Sequence, residues 1–404
     1  MLLQPLPYHL KVRDHFKLQN KTWSFFAAAT NKEDHLAEYK SGLLKNTYKF
    51  DSSIDLIIYD AVDKAKSGLG LQGLSVTVYQ TGYTDELNAS IVYHNNEAHI
   101  VFSGLLTSLL DQKELTAVIA HELTHVKLFS MLDGDLEIAD RIISAIANNR
   151  QSEAAHYETS RLYKLYTEIF CDRGAYLVTG ETAPVITGLV KATTGLAKVS
   201  AESYLRQAEE IFAEGSHAKT ASISHPENYI RARALQLWHE KKEGAEDDIV
   251  KMIEGITDID QLDIFRQKEL ATLTREFLQL SLKPKWMQGT LQLSHAKNFF
   301  TDFSLSENIL LTEGFTEKVS QAHSSIKDYL CYILLDLVFI DSSIEEPAFG
   351  WAFQLSEDLG LKTAFDAVVK KELNHSDKKL QQHRTKSLSA FYEVKETESE
   401  QIYE

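Results

Sequence analysis

Two histidines and a glutamate lie close together in the stretch "AVIAHELTHVKLF", residues 117 to 129. A helix would place His121 and His125 on one face, with both rings aimed at a single point. Neutral imidazoles are good zinc ligands, and a catalytic zinc ion takes three protein ligands and one water molecule. Glu122 follows the first histidine directly, where its carboxylate can take a proton from that water without being a ligand. The spacing therefore predicts a hydrolytic zinc site.

The residues around this pattern favour a metal-binding role over a chance occurrence of the spacing. A chain with 15 histidines can produce such a spacing by chance. Val118, Ile119 and Leu123 make most faces of the helix apolar, which predicts that it is buried. Buried imidazoles and carboxylates are unfavourable unless they have partners. A metal ion would be that partner.

A third ligand must come from elsewhere in the chain. In "YTEIFCDRGAYLVTG", residues 166 to 180, Glu168 and Asp172 are four apart. Such a pair suits a zinc ligand followed by an acceptor that orients a histidine ring; the alternative is a solvated helical face. Cys171 is interpreted as a small buried apolar residue, with a soft metal ligand as the alternative.

The stretch "SISHPENYIRARAL", residues 222 to 235, contains a histidine before a proline. One interpretation is a loop and a helix start, with Pro226 near the first helical position and Ser224 as the cap. The functional interpretation has His225, and Arg231 further on, stabilising the oxyanion that forms when water attacks a carbonyl.

The elements that must position these residues are mostly helices. The chain has six prolines, which leaves room for long uninterrupted helices. Residues 1–65 are predicted to be helical, and the segment 55–70 ends in a glycine-rich stop. Asp111 and Glu114 predict a capping box at the start of the helix that carries the two histidines. A further long helix is predicted over 153–178, around Glu168.

Three short strands are predicted between these helices. Residues 74–80 alternate β-branched side chains, while 88–94 and 98–104 flank Asn95 and Asn96, which suit a hairpin turn.

Composition excludes some classes of function. The 404 residues are 44% hydrophobic and carry a formal charge of −16, so binding to nucleic acid or to an anionic membrane surface is not expected. Two cysteines, Cys171 and Cys331, are too few for a disulfide framework. The first residues lack a signal-peptide pattern, and apolar runs such as 330–340 are too short to span a bilayer. We therefore predict a cytoplasmic protein without a membrane span.

Several motifs in order carry a family resemblance. "NAS", "HIVFSGLLTSLLDQKELTAVIAHELTHV", "EIFCDRGA" and "SHPENYIR", between about Leu74 and Arg233, resemble the HtpX/CAAX-prenyl-protease type of zinc metallopeptidase. These enzymes are gluzincins, whose third ligand is a glutamate on a later helix. The resemblance implies that His121, His125 and Glu168 bind zinc, with one Zn²⁺ per chain.

The same resemblance implies roles for further residues. Glu122 would be the general base and acid, and Asp172 the acidic residue four positions after the third ligand. His225 and Arg231 would act near the transition state. Asn88 and Ala89 match a pair at the start of an edge strand, which could bind an extended peptide by adding it to the sheet.

This sequence departs from the family pattern at a few positions. Thr124 stands where glycine is more frequent, and Cys171 where alanine is common. The membrane spans of the best-known members have no counterpart, so prenylated or membrane-embedded substrates are not implied.

Residues 326–361 resemble a tellurite-resistance TerB-like helical domain. Asp341, Glu345 and Glu346 occupy the acidic turn, and Ser342 replaces the usual glycine. The resemblance implies a regulatory or docking module, with divalent-cation binding as one role. The alternative is a plain helix–turn–helix that Ser343 caps.

We therefore predict a predominantly helical α+β fold with a small antiparallel sheet and an all-helical C-terminal region. The expected domains are a metallopeptidase domain (1–240, core 74–235), a helical connector (241–315), the TerB-like domain (316–375) and a charged tail (376–404).

The predicted activity is zinc-dependent endopeptidase cleavage of peptides or proteins. One alternative is a zinc-stabilised binding or chaperone-like module without turnover. Another is a latent protease that its C-terminal helices hold shut until a regulatory partner binds them.

Overall fold

The computed structural model describes residues 3–28, 33–82, 84–94, 96–214, 220–306 and 310–397. They form two compact units, Met1–Gly255 and Ile256–Glu404. Within the described ranges, no helix is long and apolar enough to cross a membrane. As predicted, the fold is mostly helical with one small sheet.

The sheet belongs to the first unit. Its strands are β1 (Thr47–Lys49), β2 (Ser75–Thr81), β3 (Asn88–His94) and β4 (Glu97–Ser103), in the order β1-β2-β4-β3. The three predicted strands are confirmed, whereas β1 was not expected in a region predicted to be helical. Asn95, predicted for the hairpin turn, lies outside the described residues.

The sheet is mixed, so the prediction of an antiparallel sheet was wrong. β3 and β4 form an antiparallel hairpin, but β4 runs parallel to β2. Residues 98–102 of β4 are all buried, which is typical of a strand whose two faces are covered. β4 takes a central position, and β3 is an edge strand.

Helices cover the sheet and build most of the first unit. They are α1 (Pro7–Lys17), α2 (Asn20–Ala28), α3 (Glu33–Asn46), α4 (Leu56–Leu69), α5 (Leu106–Leu109), α6 (Gln112–Ser130), α7 (Asp135–Ala147), α8 (Ala154–Thr179), α9 (Ala183–Thr194), α10 (Ala201–Glu214), α11 (Asn228–Lys241) and α12 (Glu246–Glu254).

Local sequence explains where the central helices begin and end. α4 ends at Gly70, which has a φ of 69°, a conformation that glycine adopts without strain. At the start of α6, the Asp111 carboxylate accepts hydrogen bonds from the N–H groups of Lys113 and Glu114. The Glu114 carboxylate accepts from the N–H of Asp111, so the predicted capping box is confirmed.

Helices α4, α6 and α8 pack around a core shared with the sheet. Its buried members include Val78 and Ile100 from the strands and Ile119 and Leu123 from α6. The apolar faces of α6 therefore point inward, and the same burial holds its polar residues in fixed positions.

The second unit is helical throughout its described part, as predicted for the C-terminal region. Its helices are α13 (Ile264–Ser281), α14 (Thr290–Phe299), α15 (Glu313–Ser320), α16 (Ser324–Phe339), α17 (Glu345–Asp358), α18 (Lys362–Glu372) and α19 (Asp377–Thr397). Large aromatic side chains such as Trp351 and Phe391 fill its core.

The predicted domain boundaries at 240, 315 and 375 stay predictions, as does the TerB-like resemblance. The first compact unit extends to Gly255, because α12 packs against α8 and α11. Ser343 does not cap α17; its hydroxyl donates to Asp341, and Ile344 occupies the N-cap position. Much of the predicted tail is α19, which packs against α17.

Candidate metal centre

Helices α6 and α8 bring the three predicted ligands together. Nε2 of His121 lies 3.3 Å from Oε2 of Glu168, and Nε2 of His125 lies 3.6 Å from Oε1 of the same carboxylate. Ligand atoms that bind one tetrahedral zinc ion at about 2.0–2.1 Å are separated by about 3.3 Å. The Glu168 carboxylate thus approaches both imidazoles, as a third ligand of a shared cation would.

One oxygen of the Glu168 carboxylate is not fully satisfied by the protein. The residue is 5% exposed, and Oε2 is buried without a hydrogen-bond partner among the described residues. A buried charged oxygen is unfavourable when it is unsatisfied. A cation bound between Glu168 and the histidines would satisfy it, so the donor set fits a zinc ion.

A buried network holds His121 in its orientation. Oδ1 of Asp172 lies 3.0 Å from Nδ1 of His121. Arg231, from α11, donates to both oxygens of Asp172, at 2.8 Å and 2.6 Å, and its Nη1 lies 3.4 Å from Oε2 of Glu168. With Nδ1 facing Asp172, the Nε2 of His121 is left to face Glu168.

Burial and these neighbours shift the pKa values of the three predicted ligands. Burial lowers the pKa of His121, but Asp172 and Glu168 outweigh it and raise that pKa to about 10. Burial lowers the pKa of His125 to about 4, with Glu168 opposing the shift. Burial raises the pKa of Glu168, but His121 and Arg231 hold it well below its usual range. Glu168 is therefore a carboxylate and His125 a neutral imidazole.

Glu122 is buried on the next face of α6. Burial raises the pKa of its carboxyl to about 7, against the opposing charge of His121. The residue also lines the cavity in front of the metal centre. A buried carboxyl at this position can hold and release a proton.

Cys171 is the rival for the third ligand position. Its Sγ and the ring nitrogens of His121 and His125 lie within 4.8 Å of one another. Metals bind the thiolate, yet burial and the charge of Glu168 raise the pKa of Cys171 well above its usual value. Glu168 is already ionised and approaches both Nε2 atoms, so it is the stronger candidate.

A glycine on α8 allows the close approach of the two helices, and sequence reasoning missed it. A Cβ added at Gly174 would lie 2.1 Å from Oγ1 of Thr124 on α6. Any larger residue at 174 would push α8, and Glu168 with it, away from the histidines. One signal in the sequence could have indicated this contact: Thr124 stands where the family that the motifs resemble more often has glycine.

His225 lies on the loop before α11 and is mostly exposed. Its Nε2 is 3.6 Å from Oε1 of Glu168, and its Nδ1 is 2.9 Å from Oγ of Ser224. Helix α11 begins later than the sequence suggested, with Glu227 at the N-cap position and no side-chain cap. The predicted capping by Ser224 was therefore wrong.

Arg161, on α8, holds this loop and was also missed. Its Nη1 donates to the carbonyl of Ser222 at 2.8 Å. Its Nε and Nη2 both donate to the carboxylate of Glu158, at 2.7 Å. The two hydrogen bonds to Glu158 fix the Arg161 guanidinium, which in turn holds the loop at Ser222, three positions before His225.

A cavity of about 730 Å³ lies in front of the metal centre. Asn88 and Ala89 line one side of it, at the start of β3. In the described part of the chain, β3 pairs with β4 alone, so its outer edge is available for another strand. The two residues predicted for substrate binding thus lie beside the candidate metal centre.

The helices and the loop that carry this centre fall within one stretch of the chain. Residues 54–239 match the model of Peptidase family M48. This M48-matching region is slightly less than half of the chain, and it contains the three ligand candidates together with Arg231. It begins just before α4 and ends within α11.

A curated relative matches in part. The Plastoglobule-localized metallopeptidase 48, chloroplastic, of Arabidopsis thaliana is 30% identical over 156 residues, covering 34% of this chain and 44% of that protein. The chain thus spans less than half of that relative's length. No solved structure matches. The match to Peptidase family M48 agrees with the resemblance to metallopeptidases drawn from the motifs. The HtpX-type details of that resemblance stay predictions.

Proposed function

We propose that this protein is a zinc-dependent endopeptidase that hydrolyses peptide bonds in peptides or proteins. His121, His125 and Glu168 would hold one zinc ion per chain. The observation that carries the proposal is the approach of the Glu168 carboxylate to both histidine Nε2 atoms, at 3.3 and 3.6 Å. The match of residues 54–239 to Peptidase family M48 supports it.

The chain's own residues supply the proton transfers. When bound, zinc supplies a Lewis acid that polarises a carbonyl and makes water more acidic. Glu122 would take the proton of the attacking water and pass it to the leaving amine. His225, at the open side of the cavity, would donate to the oxygen on which negative charge develops.

Asp172 and Arg231 would act through the ligands. Asp172 holds His121, and Arg231 holds Asp172 with two hydrogen bonds. Arg231 was predicted to act near the transition state, and its contacts favour a positioning role. Loss of such a partner typically lowers metal affinity or activity 10- to 100-fold.

An extended peptide would bind along β3, next to Asn88 and Ala89. Main-chain hydrogen bonds to a strand edge give affinity with little dependence on side chains. Nucleic acid is not an expected partner. A cytoplasmic location and a regulatory partner for the C-terminal helices stay predictions; the name of the Arabidopsis relative places that protein in the plastoglobule.

The substitution Glu122→Gln tests the proposal. It should retain about one zinc ion per chain in elemental analysis and lower cleavage of casein or a peptide library by about 10²- to 10⁴-fold. Glu181→Gln is the matched control, because Glu181 is an exposed glutamate that pairs with Lys113.

Full activity of the Glu122→Gln protein would show that the catalytic assignment is wrong. The alternative function, a zinc-bound binding or chaperone-like module, predicts that wild-type and Glu122→Gln proteins behave alike in every assay. A latent protease predicts cleavage by the wild-type protein only after a partner or a truncation releases it.

A further inference from the structure

Helix α1 lies outside the M48-matching region, yet it packs on the helix that carries Glu168. Its buried residues are Tyr8, His9, Val12 and Phe16, and the helix contacts α7 and α8. The matched region begins only at residue 54. A segment that the family model does not include is therefore part of the packing around the candidate metal centre.

His9 joins α1 to α8 through a polar contact in this packing. The residue is fully buried, and its ring makes edge contacts with the rings of Tyr163 and Phe170, with centroids 4.9 Å and 6.1 Å apart. Its Nε2 lies 3.3 Å from Oγ1 of Thr167. Positions 163, 167 and 170 share one face of α8, so His9 contacts two turns of that helix at once.

The direction of the hydrogen bonds follows from the protonation of His9. Burial, together with the charge of Arg173, lowers the pKa of the imidazole to about 3, so one ring nitrogen carries a proton and the other accepts. The N–H of Leu6 donates to Nδ1 at 3.3 Å, which leaves the proton on Nε2. Nε2 therefore donates to Thr167, whose hydroxyl donates in turn to the carbonyl of Tyr163 at 2.9 Å.

Thr167 immediately precedes the predicted ligand Glu168. The Glu168 carboxylate lies 3.3 Å and 3.6 Å from the Nε2 atoms of His121 and His125, and a small shift of α8 would change both distances. Residues that orient the ligands of a metal ion affect how tightly it is bound. The residue that fixes the position of Thr167 therefore also limits where the Glu168 carboxylate can lie.

We propose that His9 is a positioning residue for the zinc ligand Glu168 and acts through Thr167. The N-terminal helix α1 then belongs to the working metal centre, although it supplies no ligand and lies outside the M48-matching region. This inference rests on the proposed function, which supplies the zinc ion.

Two substitutions at His9 separate its two hydrogen bonds. His9→Gln places an amide group near the position of Nε2, so it can still donate to Thr167. His9→Asn is shorter, so it can accept from the N–H of Leu6 but cannot reach Thr167. His9→Asn should weaken zinc binding about tenfold, whereas His9→Gln should stay within about threefold of the wild-type affinity. Chelator competition with the full-length protein measures both.

Changes at two other positions separate positioning from stability. Val12→Ala removes buried methyl groups from α1, so it should lower the thermal stability while leaving zinc affinity within about threefold of the wild-type value. Thr167→Val removes the hydroxyl and should weaken zinc binding as much as His9→Asn, whereas Thr167→Ser keeps the hydroxyl and the affinity.

Two results of these titrations would overturn the inference. One is equal zinc affinity within each pair, His9→Asn with His9→Gln and Thr167→Val with Thr167→Ser. The other is a loss of zinc affinity in Val12→Ala as large as that in His9→Asn, because it would show that any loosening of α1 has the same effect. The pair at Thr167 decides the question if His9→Asn does not fold.

Hydrogen exchange separates this inference from the proposed function. In the metal-free protein, the amides of α8 around Glu168 should exchange faster in Thr167→Val than in Thr167→Ser, because that part of the helix is held less firmly. Such a difference supports the positioning role even if the wild-type protein binds no zinc. Equal exchange in the two variants overturns it even if the protein is an active zinc peptidase.

Discussion

Each compact unit contains a pair of helices that cross at a glycine. In the first unit, α8 crosses α6 where a Cβ on Gly174 would lie 2.1 Å from Oγ1 of Thr124. In the second, α17 crosses α19 where a Cβ on Gly350 would lie 2.1 Å from the carbonyl oxygen of Ser387. The same packing device therefore appears twice.

The surroundings of the two crossings differ in charge. Glu168, Asp172 and Arg231 are buried near the first crossing, and one oxygen of the Glu168 carboxylate has no hydrogen bond from the residues that the structure describes. Near the second crossing, Trp351 and Phe391 are in ring contact, and Arg384 is a buried charged side chain that lies over the ring of Phe353. The first crossing therefore lies beside a cluster of buried charged side chains that includes a candidate metal ligand, whereas aromatic side chains dominate the second.

Buried charges in the second unit have ordinary structural uses. Asp263 caps α13 by accepting from the N–H groups of Phe265 and Arg266, and Arg384 pairs with Asp366. These contacts stabilise helices and their packing. The comparison therefore predicts that changes at the two crossings will differ in their effect on metal binding.

The largest effect is expected from Glu168→Ala. Removal of the carboxylate takes away a ligand, so bound zinc should fall from about one per chain to below about 0.1. Cys171→Ala is the matched change on the same helix, and it should keep zinc near one per chain. Elemental analysis after dialysis measures both. Loss of zinc from Cys171→Ala and retention by Glu168→Ala would identify the cysteine as the third ligand. That result would contradict the role given to Glu168 at the first crossing.

Alanine at each glycine tests the crossings directly. Gly174→Ala and Gly350→Ala should each lower the free energy of unfolding by about 3 kcal/mol, because the added methyl overlaps a neighbouring atom. Only Gly174→Ala should also weaken zinc binding, since it separates Glu168 from the histidines. Denaturant unfolding and zinc titration give the two quantities.

Thr124→Gly should rescue the first variant, because it removes the atoms that the new methyl meets. In the double variant, zinc affinity should return to within a few-fold of the wild-type value. If Gly350→Ala lowered zinc affinity as much as Gly174→Ala does, the prediction that only the first crossing affects zinc binding would be contradicted.

Arg231→Lys should have a smaller effect. Lysine cannot reproduce the two hydrogen bonds to Asp172, so the orientation of His121 should loosen and zinc affinity fall about 10- to 100-fold. Arg384→Lys is the matched change in the second unit and should alter thermal stability without changing zinc affinity. Competition with a chelator gives the zinc affinities.

The smallest effect is expected from Arg161→Met, which frees the loop that carries His225. Activity should fall about three- to tenfold through loss of positioning, with zinc content unchanged. The test of mechanism is the double variant with His225→Ala: the effect of Arg161→Met should largely vanish in that background. Additive losses would show that Arg161 acts on overall stability instead.

Much of the candidate site could be predicted because its signals are local. The four-residue spacing in α6, the capping box at Asp111 and Glu114, and the paired acids of α8 each follow from helix geometry within one segment. The hairpin strands were found for the same reason. These patterns need no knowledge of what packs against them.

The remaining features depend on contacts between distant segments. Whether β4 pairs with β2, and in which direction, depends on the path of the chain between them, which a strand's own sequence does not reveal. Gly174 meets Thr124, and Arg161 meets Ser222, only after α8 has packed against its neighbours. The charged residues of α19 concealed a buried face, because few apolar positions such as Phe391 are enough to anchor it.

Under the proposed function, the outer edge of β3, which no described strand pairs with, has a consequence for which proteins could be degraded. A strand edge can recruit only a segment whose own main-chain groups are unpaired, and native proteins keep theirs within helices and sheets. Damaged or unfolding chains would be captured while intact ones are spared. The lifetime of a potential target would then depend more on how often it unfolds locally than on the amino-acid sequence around the cleavage site.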